Sequence, residues 1–164
     1  MISTHQKLII NSVIDFMKSE FNINAKLTVK RKSKSGLLGD VTMSHNSVNL
    51  NKFTLHYNPS QGYTMIIQSL IHELTHVKQI SNKELQPSSD YKSIIWKGSP
   101  YITVKELNKS MKSINDYMNL PWEKEAYGNM KKLYPKFIKS KYFKNLRGKN
   151  ATLDYILDNE VTFQ

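Results

Sequence analysis

The chain contains no cysteine. Disulfides, thiolate zinc sites and cysteine nucleophiles are therefore excluded, and a metal site would have to use nitrogen and oxygen ligands. No apolar run approaches the ~20 residues needed to cross a bilayer, so no membrane partner is expected. The start, Met1-Ile2-Ser3-Thr4-His5, lacks a basic segment followed by a long apolar one, so no signal peptide is expected either. Together these absences make a soluble cytoplasmic protein the expectation.

Acidic residues are also scarce, 13 against 24 lysines and arginines, for a net charge of +11. Two stretches have no acid at all. One runs between Phe21 and Gly39 with Lys26, Lys30, Arg31, Lys32 and Lys34. The other runs from Ala126 to Leu153 with Lys131, Lys132, Lys136, Lys139, Lys141, Lys144, Arg147 and Lys149. Such runs are the electrostatic footprint of a nucleic-acid or polyanion partner. Yet 22 of the basic residues are lysine, accompanied by 15 asparagines. Lysine offers a point charge, not the bidentate fork that reads bases. A solvated surface is the plainer reading, with weak nucleic-acid or polyanion binding as its alternative.

What the chain does contain is His72-Glu73-Leu74-Thr75-His76. Two histidines four apart on a helix lie on one face about one turn apart, so both imidazoles can reach one ion. Zinc suits such ligands, and a catalytic zinc takes three protein ligands and keeps one position for water. Glu73, roughly 100° further round the helix, stands beside that position as a candidate general base.

The 164 residues fit a single domain, 1–164, with a sizeable core. Thr4 to about Glu20 reads as a helix with Leu8, Ile9, Val13, Phe16 and Met17 as its apolar stripe and Thr4 as N-cap. From Ile23 the period becomes two, through Ala25, Leu27 and Val29, which predicts a half-buried strand. Lys32 to Gly39 reads as a loop. Further short strands are predicted around Asp40–Ser44 and from about Val48 to Tyr57, where Phe53, Leu55 and Tyr57 share a face. The three strands are expected to form an antiparallel meander. His45 and His56 are read as surface residues rather than ligands. Projection of the central helix, from Gly62 or Tyr63 to about Ile80, puts Ile66, Leu70, Leu74 and Val77 on an apolar face. His72 and His76 fall on the neighbouring face with Gln68, Ser69 and Gln79, as a half-open cleft requires. Residues 81–90 read as a loop, and Tyr91 to Gly98 as a strand entering a turn from which Tyr101–Thr103 returns. Trp96 is read as a packed aromatic, with a substrate-cleft lining as the alternative. One or two short helices are expected between Val104 and Asn119.

Pro121 opens another helix, to about Lys139, since proline is well tolerated at a first helical position. It offers Glu123 and Glu125 as a third ligand. Glu123 shares its face with Ala126, Tyr127, Met130, Tyr134 and Phe137, where a carboxylate is costly unless a cation meets it. It also lies in the first turn, where the helix dipole favours negative charge. Glu125 projects toward Lys132, Lys136 and Lys139, an arrangement that reads as a solvated ion pair. Glu123 is therefore the expected ligand and Glu125 the alternative. The fold class is α+β, a small antiparallel sheet packed with the HExxH helix and a following ligand-bearing helix.

His72-Glu73-Leu74-Thr75-His76 followed by Glu123-Lys124-Glu125-Ala126 resembles the gluzincin metallopeptidases. Gln79, Trp96-Lys97-Gly98 and Leu120-Pro121-Trp122-Glu123 are also similar to small metallopeptidases encoded by bacteriophages. The likeness covers roughly Thr64 to Tyr134. It implies a minimal zincin-like fold, one Zn2+ held by His72, His76 and Glu123, and hydrolysis of a protein or peptide substrate with Glu73 as general base. Gluzincins often carry Asp or Asn after the small residue, orienting a ligand histidine; Tyr127 stands there, so no such partner is assigned. SprT-like proteases are less similar, since they would need a third histidine. Tyr101, Tyr117, Tyr127 and Tyr134 are all open as stabilisers of the oxyanion. Two other functions compete: a metal-stabilised binding protein without catalysis, and a nucleic-acid-associated protein using the basic surface.

Overall fold

A computed structural model describes residues 3–31, 39–43 and 52–162. Among them the chain is a mixture of helix and sheet, of class α+β, with seven helices and six strands. Helix α1 (Thr4–Phe21) buries Ile9, Ile10, Val13, Phe16 and Met17. Its N-cap is Ser3, one residue before the Thr4 expected from sequence; the Ser3 hydroxyl accepts from the Gln6 amide. Asn22 ends the helix in the left-handed conformation, for which asparagine is one of the better-suited residues.

Strands β1 (Lys26–Arg31), β2 (Gly39–Met43) and β3 (Lys52–Tyr57) form a sheet in the order β1-β3-β2. The expected antiparallel meander is wrong. β3 inserts between the other two and runs parallel to β1 and antiparallel to β2. The reason lies in the side chains of β3, where Phe53, Leu55 and Tyr57 are 2%, 0% and 0% exposed. A strand with so deeply buried a face takes the centre, with a neighbour on each side. The lysine-bearing β1, exposed at Lys26, Lys30 and Arg31, is left at an edge, where charge discourages further pairing.

Helix α2 (Tyr63–Ser81) follows, and its Ile66, Ile67, Leu70, Ile71, Leu74 and Val77 are all within 1% of complete burial. A second sheet then forms from β4 (Leu85–Pro87), β5 (Ser93–Trp96) and β6 (Ser99–Thr103), antiparallel throughout. β4 lies inside the stretch expected to be a loop; three residues are too few to show a period. Lys97 and Gly98 join β5 to β6 with φ of 49° and 86°. Two consecutive positive φ values mark the two-residue turn whose twist suits a hairpin, and glycine enters that region without strain.

Two short helices, α3 (Val104–Ser110) and α4 (Ile114–Asn119), bury none of their residues. Leu120 and Pro121 then turn the chain into α5 (Pro121–Lys139), which lies along α2. α6 (Lys141–Lys144) and α7 (Ala151–Asn159) close the core with Phe143, Leu153, Ile156 and Leu157. Phe137 is the hinge of this packing, its ring centroid 5.4 Å from Phe16 and 5.6 Å from Phe143. Two members of the second basic run meet acids from elsewhere in the chain. Lys136 Nζ donates to Glu20 and Arg147 to Asp158, at 2.7 and 2.6 Å. No described helix is long and apolar enough to cross a membrane.

Leu70 sits at the centre of α2 with no exposed surface. Leu70→Ala should lower the unfolding free energy by about 2–5 kcal/mol. Ile114→Ser, at a residue 74% exposed, should change it by no more than about 0.5 kcal/mol. Urea titration of both variants checks the contrast.

Candidate metal centre

Along its middle, from Ser69 to Val77, every residue of α2 is buried, the polar ones with the apolar ones. His72, Glu73 and His76 are 8%, 8% and 6% exposed, and Thr75 and Gln79 are not exposed at all. Thr75 disposes of its hydroxyl inside the helix, donating to the Ile71 carbonyl at 2.9 Å. The histidines need partners from outside, and α5 brings one. Glu123, third residue of that helix and 3% exposed, faces them both. α5 lies along the histidine side of α2, and His72, Glu73 and His76 keep a small exposure between the two helices.

The three groups converge through the atoms that would bind an ion. His72 Nε2 is 3.1 Å from His76 Nε2. Glu123 Oε2 is 3.1 Å from His72 Nε2, and Glu123 Oε1 is 3.2 Å from His76 Nε2. Two donors each 2.0–2.1 Å from a tetrahedral zinc stand roughly 3.3–3.4 Å apart, so the spacing is close to that of a ligand set. His72 Nδ1 is buried without a hydrogen-bond partner, and of two facing Nε2 atoms at 3.1 Å at most one can carry the bonding proton. Among the described residues this buried His72–His76–Glu123 group can hold a metal ion. Its nitrogen and oxygen donors fit a divalent transition metal.

The electrostatics point the same way. Burial alone would raise the Glu123 carboxyl. Hydrogen bonds from His72 and His76, the charge of His76 and a hydrogen bond from Tyr117 outweigh it and hold the group down at about 2. Burial would likewise lower His76, but hydrogen bonding to Glu123, the charges of Glu123 and Glu73, and Gln79 together raise it above its ordinary value. Tyr117 and Tyr127 are both pushed up, by burial first and then by the negative charges of Glu123 and Glu73. Two carboxylates thus impose a negative potential on a poorly solvated space, which a cation would relieve.

Around this group lies a second layer. Gln79 Oε1 is 2.8 Å from His76 Nδ1, while Gln79 Nε2 donates to the Trp122 carbonyl at 3.0 Å and to Glu125 Oε2 at 2.8 Å. Gln79 was visible in the sequence as a neighbour of the histidines, being three residues after His76 on the same face; its partners on α5 were not. Glu125 does not reach the cluster. It also does not face Lys132, Lys136 and Lys139 as expected: its Oε1 lies 3.1 Å from Lys97 Nζ and 3.8 Å from Lys78 Nζ. Helical projection sees only neighbours on the same helix, and the stronger cations come from α2 and the β5–β6 turn. Tyr127 packs its ring against His72, centroids 4.5 Å apart at 61°.

The other candidates separate by position. Tyr134 donates to the Thr162 carbonyl at 2.6 Å, and Tyr101 lies against Trp122, centroids 5.8 Å apart. Tyr117, partly buried, is the tyrosine whose pKa is raised furthest, by burial first and then by the charge of Glu123. Trp96 is half-buried and packed against Trp122 at 6.1 Å, in keeping with a packing role. His56 points away from the core face of β3 and is not part of the cluster. His45 lies outside the described residues. Compared with protein-family models, with curated proteins and with solved structures, the chain finds no match.

Glu123→Ala should abolish stoichiometric retention of a divalent metal, whereas Glu125→Ala, which leaves all three converging groups intact, should reduce affinity without eliminating binding. Elemental analysis of the two dialysed variants beside the wild-type chain separates these outcomes.

Proposed function

We propose that the chain is a zinc-dependent peptidase of minimal gluzincin type, a zincin-like domain in which α2 and α5 carry the ligands. The observation that carries this reading is the convergence of His72, His76 and Glu123 within 3.1–3.2 Å, with Glu73 buried on the same helix. Zinc is the favoured ion because imidazole and carboxylate donors suit it.

When bound, zinc supplies Lewis acidity, lowering the pKa of water toward neutrality and polarising a peptide carbonyl. Glu73 accepts the proton of the attacking water and later delivers it to the departing amine, so the C–N bond breaks as a neutral amine leaves. Its charge is already felt at His76, Tyr117 and Tyr127, which puts it within electrostatic range of the ligand set. Tyr117 is the group we assign to the oxyanion. It feels the charges of both Glu123 and Glu73, and a tyrosine hydroxyl, protonated at neutral pH, can donate to a developing oxyanion.

A second reading is a metal-stabilised protein without catalysis. It is favoured by the near-complete burial of the ligands and by the aromatic Tyr127 against His72. Cleavage of a peptide library that a chelator stops and zinc restores would eliminate it.

In the peptidase reading, Glu73→Gln lowers kcat by about 100-fold to 10,000-fold while zinc content stays stoichiometric. Full turnover in that variant removes the mechanism. Tyr117→Phe should lower kcat by about 100-fold to 1,000-fold with little change in KM; steady-state kinetics on a fluorogenic peptide would show the split.

A further inference from the structure

Gln79 has no exposed surface, and its amide is engaged on both sides. The Trp122 carbonyl and the Glu125 carboxylate can only accept, so the amide nitrogen must face them. The amide oxygen is then left facing His76, whose Nδ1 must carry the proton. That assignment puts the lone pair of the neutral ring on Nε2, the atom directed at Glu123 and His72. An amide facing a hydroxyl, which can donate or accept, could flip and support either tautomer. Two acceptors remove that freedom.

Glu125 owes its place to charge. Lys97, from the β5–β6 turn, and Lys78, one residue before Gln79, offset its carboxylate, and Lys78 is itself held by Glu84 at 2.7 Å. Trp122, whose carbonyl takes the other amide proton, immediately precedes the ligand Glu123. The same amide therefore touches one ligand ring and the backbone beside another ligand.

We propose that Gln79 and Glu125 form a positioning relay for the metal centre. Gln79 sets the tautomer and orientation of His76 and ties the first turn of α5 to α2, which fixes Glu123. Glu125, discarded as a ligand, fixes the sense of the Gln79 amide and couples the centre to the β5–β6 turn through Lys97. The proposal rests on the metal-centre reading above.

Zn2+ affinity measured by competition with a chromophoric chelator, and the visible spectrum of the Co2+-loaded chain, test it. Gln79→Met removes all three hydrogen bonds at similar volume. It should weaken Zn2+ binding by about 10-fold to 100-fold and alter the Co2+ bands, with the far-ultraviolet dichroism of the fold retained. Gln79→Glu sets a carboxylate against Glu125 and should weaken binding as well. Adding Glu125→Gln to it reverses the donor and acceptor between the two positions and should bring affinity back to within about 10-fold of wild type. Wild-type affinity and spectrum in Gln79→Met overturn the relay. So does a double variant no tighter than Gln79→Glu alone, a comparison that holds even where Gln79→Met fails to fold. A wild-type chain that binds neither ion overturns the metal centre itself, and the relay with it.

Discussion

Two imidazoles and a carboxylate buried between α2 and α5 constrain this molecule more than any other contact. A carboxylate 3% exposed is expensive in a protein interior unless positive charge and hydrogen bonds meet it. Here His72 and His76 converge on it, and the carboxyl is held down at about 2 despite its burial. The two helices must keep one relative rotation and one axial register for those atoms to meet within 3.1–3.2 Å. The surrounding apolar packing supplies that register. Leu70, Leu74 and Val77 on α2, and Ala126, Leu133 and Phe137 on α5, are all at most 4% exposed.

The start of α5 is as important as its packing. Leu120 is extended and Pro121 begins the helix, so Glu123 falls in the first turn, where unsatisfied amides favour a carboxylate. Gln79 then holds that turn through the Trp122 carbonyl. Beyond it, the hairpin of β5 and β6 sends Lys97 to Glu125 and lays its ammonium 4.9 Å from the Trp96 ring centroid. The second sheet thus buttresses the polar layer. The first sheet has a different task, supplying Phe53, Leu55 and Tyr57 to the core beneath α1 and α2.

How much could be read without coordinates follows from how far each interaction reaches. The bounds of α1, α2 and α5 were legible because each carries its own apolar stripe and stop signals over 18 or 19 residues. The order of the first sheet was not. Alternation shows that β1 and β3 each have a buried face, but says nothing of which strand lies between the others. Helical projection and the dipole of the first turn separated Glu123 from Glu125, yet the true partners of Glu125, Lys78, Lys97 and Gln79, come from other elements.

By itself, then, the sequence determined the local facts: a mixed helical and strand chain, two histidines one turn apart on α2, and a glutamate in the first turn of a later helix on that helix's apolar side. These depend on spacing within one element, which the 3.6-residue and two-residue periods make explicit. Tertiary structure decided that α5 lies along the histidine side of α2, that β3 parts β1 from β2, and that Gln79 bridges His76 to Trp122 and Glu125. Each of those joins residues far apart in the chain, and only the docking of whole elements around a shared core sets such distances.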